Sequence, residues 1–294
     1  MAAEPLIDRK FLEKLERLAI RWQKSFPGLV GGHNASRFAG SGQEFLDHRN
    51  FHHGDDLRAV NWRAYMRLEK MFLKMFQVEP RVPVRLLVDA SASMATGEPA
   101  KFDYARRLTA ALAYVGLVRL DTILIHPFRD TLGDGQVCSG GRHRFGPVAD
   151  FLSSVEAKGQ TDFLQVSRQF VNKYVNRGLV IIVSDFLAET DPDKPLQYLA
   201  EFGPEVLAIH VFSDQDRTPP FEGELELTDA ECGEKLELEF DTEARARYTA
   251  AFDDYCDRVR RAVLGHAGRY AAVPTSLPIE EAIFGPVVRA RGVA

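Results

Sequence analysis

The chain has 294 residues, 45% of them hydrophobic and 27% charged, which excludes a sequence too polar to fold and leaves room for one large core plus a smaller subdomain. Net charge is −5 but unevenly spread: residues 1–77 carry 13 Lys and Arg against 9 Asp and Glu, and the remainder carries 24 against 33. A basic face packing on an acidic domain is the expectation, and without a concentrated basic stripe interleaved with aromatics a nucleic-acid partner is excluded.

Residues 6–24 place Leu12, Leu15, Leu18, Ala19 and Trp22 at three- and four-residue spacing and predict an amphipathic helix, ended by Pro27 and the glycines of "SFPGLVGG". "SRFAGSGQEFLDHRNFHHGDD" shows no sustained period and predicts a loop, followed by a short helix from about Asp55 and a strand at "MFLKMFQVEP". From residue 84 the pattern alternates. "VRLLVDA" is an apolar strand, residues 100–120 a helix with Phe102, Ala105, Leu108, Leu112 and Val115 on one side, and "DTILIHPF" a strand. The Gly-rich "GDGQVCSGGRHRF" predicts an edge hairpin, residues 146–157 and 162–176 helices, "GLVIIVSDF" a strand, "PDKPLQYLAEF" a helix and "EVLAIHVFSD" a strand. "GELELTDAECGEKLELEF" predicts a β-hairpin turning near Cys232 and Gly233. A long helix over 242–264, the strand "GRYAAVPT" and a short helix from 278 complete the plan. Strands apolar on both faces and spaced by helices mean an α/β fold with a mostly parallel six-stranded sheet covered on both sides.

The longest apolar helical run, residues 108–118, is bounded by Arg107 and Arg119 and falls short of the ~18 residues of a membrane span. The amino terminus "MAAEPLIDRK" has acidic residues and no apolar signal core. Cys138, Cys232 and Cys256 form no CxxC pair, which excludes a disulfide framework or zinc knuckle. A cytoplasmic protein with no membrane span is expected.

The chemistry sits where an apolar strand should simply end. Asp89, Ser91 and Ser93 alternate at the carboxyl end of "VRLLVDASAS", Asp185 follows Ser184 at the end of another strand, and Thr161 lies in the loop "KGQTDF" before a helix. Loops at strand carboxyl ends converge in open α/β sheets, so two carboxylates and three hydroxyls can meet there. An all-oxygen set of that size suits Mg²⁺ or Mn²⁺. Taken singly, each serine or threonine reads better as a helix cap and each aspartate as a strand end, and Asp162 is assigned that capping role.

The ordered set Asp89, Ser91, Ser93, Thr161 and Asp185 resembles the metal-ion-dependent adhesion site of the von Willebrand factor A fold. That resemblance implies a Rossmann-like sheet whose serines and threonine coordinate the metal, whose aspartates ligate it directly or through water, and whose open position accepts a carboxylate from a partner protein. A second resemblance covers about residues 40–290. "GQEF", "HGDDLR", "NWRA", the site and "LTDAECGEKLELEF", in that order, are similar to the bacterial family catalogued as domain of unknown function 58. It implies a partner among MoxR-type AAA+ ATPases or their clients, beside whose genes such proteins commonly lie. Many members carry membrane segments before this block, whereas this sequence has a soluble helix there. The expected division is an N-terminal helix and polar extension over 1–77, packed on a von Willebrand factor A-like domain over 78–294.

Enzymatic readings lack parts: no Walker A loop, no GxGxxG after a strand and no GxSxG elbow is present. His126 and His210 lie on strands, where buried, hydrogen-bonded histidines are the rule. The alternative to a non-catalytic binding module is a metal-dependent hydrolase using the same cation, which needs a general base beside the three loops. His48, His52, His53, Asp55 and Asp56 offer zinc-type ligands close together, but lack the helical spacing of a zinc hydrolase. Asp55 or Asp56 is expected to begin a helix, and Arg49, Arg58, Trp62 and Arg63 to form a packed polar network, with Asp56 bridging to Arg63.

Overall fold

In a computed structural model, residues 6–16, 44–52, 55, 57, 60–77, 83–174, 178–188, 191–202 and 205–290 are described. The chain separates into two compact units, residues 23–81 and residues 1–22 with 82–294. The first element, α1 (Arg9–Leu15), belongs to the larger unit, because Ile7, Phe11 and Leu15 are buried in its core. The division expected at residue 77 therefore falls elsewhere, and the part of the predicted first helix beyond Glu16 lies outside the described residues.

The smaller unit corrects two expectations. Residues 44–50, read as loop, form β1 (Glu44–Asn50), antiparallel to β2 (Phe72–Gln77). Its polar composition hides the strand, since backbone pairing rather than an apolar face defines it. The helix expected from Asp55 begins later, as α2 (Trp62–Leu68), where Asn61 accepts the Ala64 amide at 3.3 Å and caps it. Asp55 instead accepts from Arg49 Nη2 at 2.7 Å and from the His52 amide at 2.8 Å. Trp62 and Arg63 are exposed rather than packed, and His53, Asp56 and Arg58 lie outside the described residues.

The larger unit is built on six strands. In chain order come β3 (Val84–Asp89), α3 (Lys101–Val118), β4 (Ile123–Phe128), β5 (Gln136–Cys138), α4 (Phe145–Ser154), α5 (Phe163–Lys173), β6 (Leu179–Ser184), α6 (Asp193–Phe202), β7 (Glu205–Phe212) and the short α7 (Asp214–Arg217). The hairpin β8 (Gly223–Thr228) and β9 (Lys235–Phe240), then α8 (Thr242–Gly265), β10 (Arg269–Pro274) and α9 (Ile279–Ala282) follow. Across the sheet the order is β10-β7-β6-β3-β4-β5, parallel throughout except for β5, which pairs antiparallel with β4 at the edge. This is the von Willebrand factor A-like arrangement expected, with the β8–β9 hairpin as the insertion.

Alternation along each strand sends side chains to opposite faces. Leu86, Val88, Ile181, Val183, Ile209 and Val211 meet α1, α3, α4 and α9 on one side. Leu87, Val180, Ile182 and Ala208 meet Phe163, Val166, Phe170, Leu196, Leu199 and Val259 of α5, α6 and α8 on the other. β3 has all six residues buried, as a strand covered on both faces must. Among the described residues no helix is long and apolar enough to cross a membrane.

Candidate functional site

The chain leaves β3 outward to β4 and β5, then returns to the other side of β3 as β6. That reversal makes the carboxyl ends of β3 and β6 a topological switch point, where ligands enter open α/β sheets. Asp89 is the last residue of β3, Ser184 is the last of β6, and Asp185 follows it directly.

Asp89 is fully buried. Its Oδ1 accepts the Ser91 amide at 3.0 Å and its Oδ2 accepts the Ser184 hydroxyl at 2.6 Å. Burial, and then the charge of Asp185, push the Asp89 carboxyl up to about 7. Ser91 and Ser93 follow with their hydroxyl oxygens 2.9 Å apart. The Thr161 loop is stitched to them: the Ala92 amide donates to the Gly159 carbonyl at 2.8 Å and the Lys158 amide to the Ala90 carbonyl at 2.9 Å. Arg129 adds bonds to the carbonyls of Ala90 and Glu156 at 3.0 and 2.6 Å, joining both loops to β4.

Asp185 is oriented from two sides. Its Oδ1 accepts the Leu187 amide at 3.1 Å, and its Oδ2 lies 2.8 Å from the ammonium of Lys101, which also sits 3.2 Å from Asp216 Oδ2. Burial works against the Lys101 charge, but the two carboxylates outweigh it and hold the ammonium above its ordinary range. Phe186, next in the chain, has φ 55°, a left-handed conformation that costs a non-glycine residue roughly 1–2 kcal/mol. Its amide bonds the Ser184 hydroxyl and its carbonyl accepts from the Tyr255 hydroxyl, which together hold the turn.

The structure thus brings Asp89, Ser91 and Ser93 together beside Asp185 and ties the Thr161 loop to them. Asp162 caps α5, accepting the Gln165 amide at 2.8 Å, as expected. The sequence reading missed Lys101, Asp216 and Glu231, the last of which accepts both the amide and the hydroxyl of Thr161. No local pattern marks Lys101, whereas Asp216 closes a Ser213-x-x-Asp216 capping box at the start of α7 that the reading passed over. Glu231 stands in a block that the family resemblance singled out, but its reach to Thr161 is a tertiary fact.

The donor set can be tested against a hard divalent cation. Octahedral oxygens at about 2.1 Å from a metal lie roughly 3.0 Å apart at right angles, close to the serine hydroxyl separation of 2.9 Å. Among the described residues, the buried, mutually repelling carboxylates of Asp89 and Asp185 have a cation beside Asp185 and none on the Asp89 side. Both observations fit such an ion. A zinc-type cluster finds no counterpart: among the described residues no group of three or more His, Cys, Asp or Glu side chains is placed to hold a metal. His48 Nε2 lies 2.6 Å from the Asn61 amide nitrogen, and His126 and His210 are hydrogen-bonded within the core.

Residues 47–256 match the family model described as a protein of unknown function, DUF58. Uncharacterized proteins of Mycobacterium tuberculosis strain H37Rv and of Mycobacterium bovis are each 25% identical over 263 residues, covering 88% of this chain and 83% of theirs. Among solved structures, the conserved hypothetical protein BatB of Bacteroides thetaiotaomicron is similar at 18% identity, with a TM-score of 0.45, over 71% of this chain and 98% of its own. A von Willebrand factor type A protein of Catenulispora acidiphila is similar at 11% identity and TM-score 0.45, over 75% of this chain and 43% of its own.

Proposed function

The chain belongs to the DUF58 family, and from the site at its sheet switch point we propose that it is a non-catalytic protein-interaction module that binds Mg²⁺ or Mn²⁺ and captures an acidic residue of a partner. The observation that carries this reading is the pair of serine hydroxyls 2.9 Å apart beside a fully buried Asp89. Ser91, Ser93 and Thr161 would hold the ion through hydroxyl oxygens. Asp89 supplies a buried negative charge. Asp185, with both oxygens already engaged, fits a role through water. Bound there, the ion supplies Lewis acidity toward an incoming carboxylate.

A hydrolase would need a base within reach of the same loops. His126, which bonds the Gly133 carbonyl and the Tyr174 hydroxyl, and His210, whose Nδ1 lies 2.7 Å from the Tyr270 hydroxyl, are occupied, and Glu231, the carboxylate that does reach these loops, has both oxygens engaged by the Thr161 amide and hydroxyl, which supports binding over hydrolysis. The partner class, a MoxR-type AAA+ ATPase or its client, is supported by the family resemblance alone.

Calorimetric titration of the purified chain with Mg²⁺ and with Mn²⁺ tests the site. Saturable binding is expected in the wild type and lost in Asp89→Ala and Asp185→Ala, with thermal melts confirming that both variants fold. The wild-type melting temperature should rise with metal concentration above the dissociation constant. A wild type that takes up neither ion at millimolar concentration would refute the reading.

A further inference from the structure

The β8–β9 hairpin buries very little of itself. Of its strand residues, only Leu225 and Leu238, which face each other, and Phe240 at the base are even half-buried; the rest are exposed on both faces. A two-stranded ribbon of this kind is marginal in water without something to hold it. The tip supplies that hold. The Asp229 carboxylate accepts the amides of Glu231 and Cys232 at 2.7 and 2.8 Å, Gly233 turns with φ 74°, and the Asp229 amide closes the loop on the Glu234 carbonyl at 2.8 Å. The rigid turn so made presents Glu231, whose Oε2 accepts the Thr161 amide at 2.9 Å and whose Oε1 accepts the Thr161 hydroxyl at 3.3 Å.

A carboxylate from one hairpin, 70 residues distant in sequence, thus rests with both oxygens on a residue of the metal-site loops. That is the chemical group the site is read as capturing from a partner. We propose that Glu231 is the chain's own acidic ligand for this site, a hairpin latch that a partner's carboxylate must displace. The proposal rests on the metal-binding reading above. An internal ligand at high effective concentration lowers the apparent affinity of an external one by the fraction of molecules whose latch is closed. A lone exposed carboxylate is therefore not enough, and the partner it selects must offer an acidic residue on a turn with further contacts around it.

The test uses the full chain with Mn²⁺ and, as the external carboxylate, a synthetic peptide copying residues 226–236, with Asp89→Ala as the variant lacking the site and Glu231→Gln as the variant lacking the latch. Hydrogen exchange over residues 223–240 should slow when Mn²⁺ is added to the wild type and stay unchanged in Glu231→Gln. The Mn²⁺-loaded Glu231→Gln protein should bind the peptide about tenfold more tightly than the wild type, and Asp89→Ala should bind neither metal nor peptide. If Mn²⁺ binding is lost in Asp89→Ala while hairpin exchange ignores the metal and Glu231→Gln binds metal and peptide like the wild type, the latch is refuted and the metal site stands. If the wild type binds no Mn²⁺, the metal reading falls and takes the latch with it.

Discussion

Lys101 is 1% exposed and still charged, an arrangement that needs a strong local reason. Its ammonium lies between Asp185 and Asp216, so one cation balances the carboxylate that follows β6 and another from α7. Removing one member of a buried ion group leaves the others uncompensated, at a cost of about 3–5 kcal/mol. Lys101→Met is therefore expected to lower unfolding free energy by about that much in urea denaturation, whereas Lys14→Met, at an exposed pair with Glu280, should cost under about 1 kcal/mol. An equal, small effect of both would show that the Lys101 pair is solvated. The sequence offered no hint of this residue. A lysine in the first turn of a helix is ordinarily a solvated one, and only the return of β6 and α7 to the same corner makes it central. Asp89, Ser91 and Ser93 were legible as a group because the contacts among them span two residues, a distance sequence can resolve, whereas the contact of Asp89 with Ser184 was not.

At the scale of elements, legibility followed burial. β3, β4, β6 and β7 are continuous apolar runs because they are covered on both faces, and α3 shows its apolar positions because nearly its whole length is buried. β1 escaped the reading because its polar sequence carries no such imprint, and the start of α2 at Asn61 was masked by the acidic pair upstream. The edge strand β5 shows a finer dependence. Gly135 precedes it where an added Cβ would lie 2.1 Å from Cε1 of His126 on β4. That ring cannot step aside, since Nδ1 is bonded to the Gly133 carbonyl and Nε2 to the Tyr174 hydroxyl. Gly135→Ala should therefore destabilise by about 1–3 kcal/mol, as overpacking of a fixed neighbour does. Gly146→Ala, in α4 with open space at the Cβ position, serves as the control expected to be neutral or stabilising. Equal unfolding midpoints for the two variants would mean that the His126 ring is free to move.

For the molecule as a whole, the buried titratable groups pull the stability curve in opposite directions. Burial pushes His210 down to about 4 and moves His126 the same way, so below about pH 6.5 the unfolded chain binds protons the folded one refuses, and stability falls as pH falls. Asp89 has the reverse sign. Its folded carboxyl, at about 7, keeps its proton well above the unfolded value of about 3.9, so stability falls as pH rises between the two. In metal-free buffer the opposing slopes overlap from about pH 4 to 6.5, and the wild-type curve should be shallow there. Asp89→Asn keeps an acceptor for the Ser91 amide and removes the charge. It should be more stable than the wild type by about 2 kcal/mol at pH 7.5 with chelator present, and should lose stability more steeply than the wild type on acidification to pH 5. Urea unfolding across that pH range checks both parts. A variant less stable than the wild type at pH 7.5 would mean that the Asp89 charge is not a burden on the fold. A variant more stable than the wild type would mark Asp89 as a residue kept at a cost to stability, which is the expected signature of a side chain held for a ligand rather than for the fold.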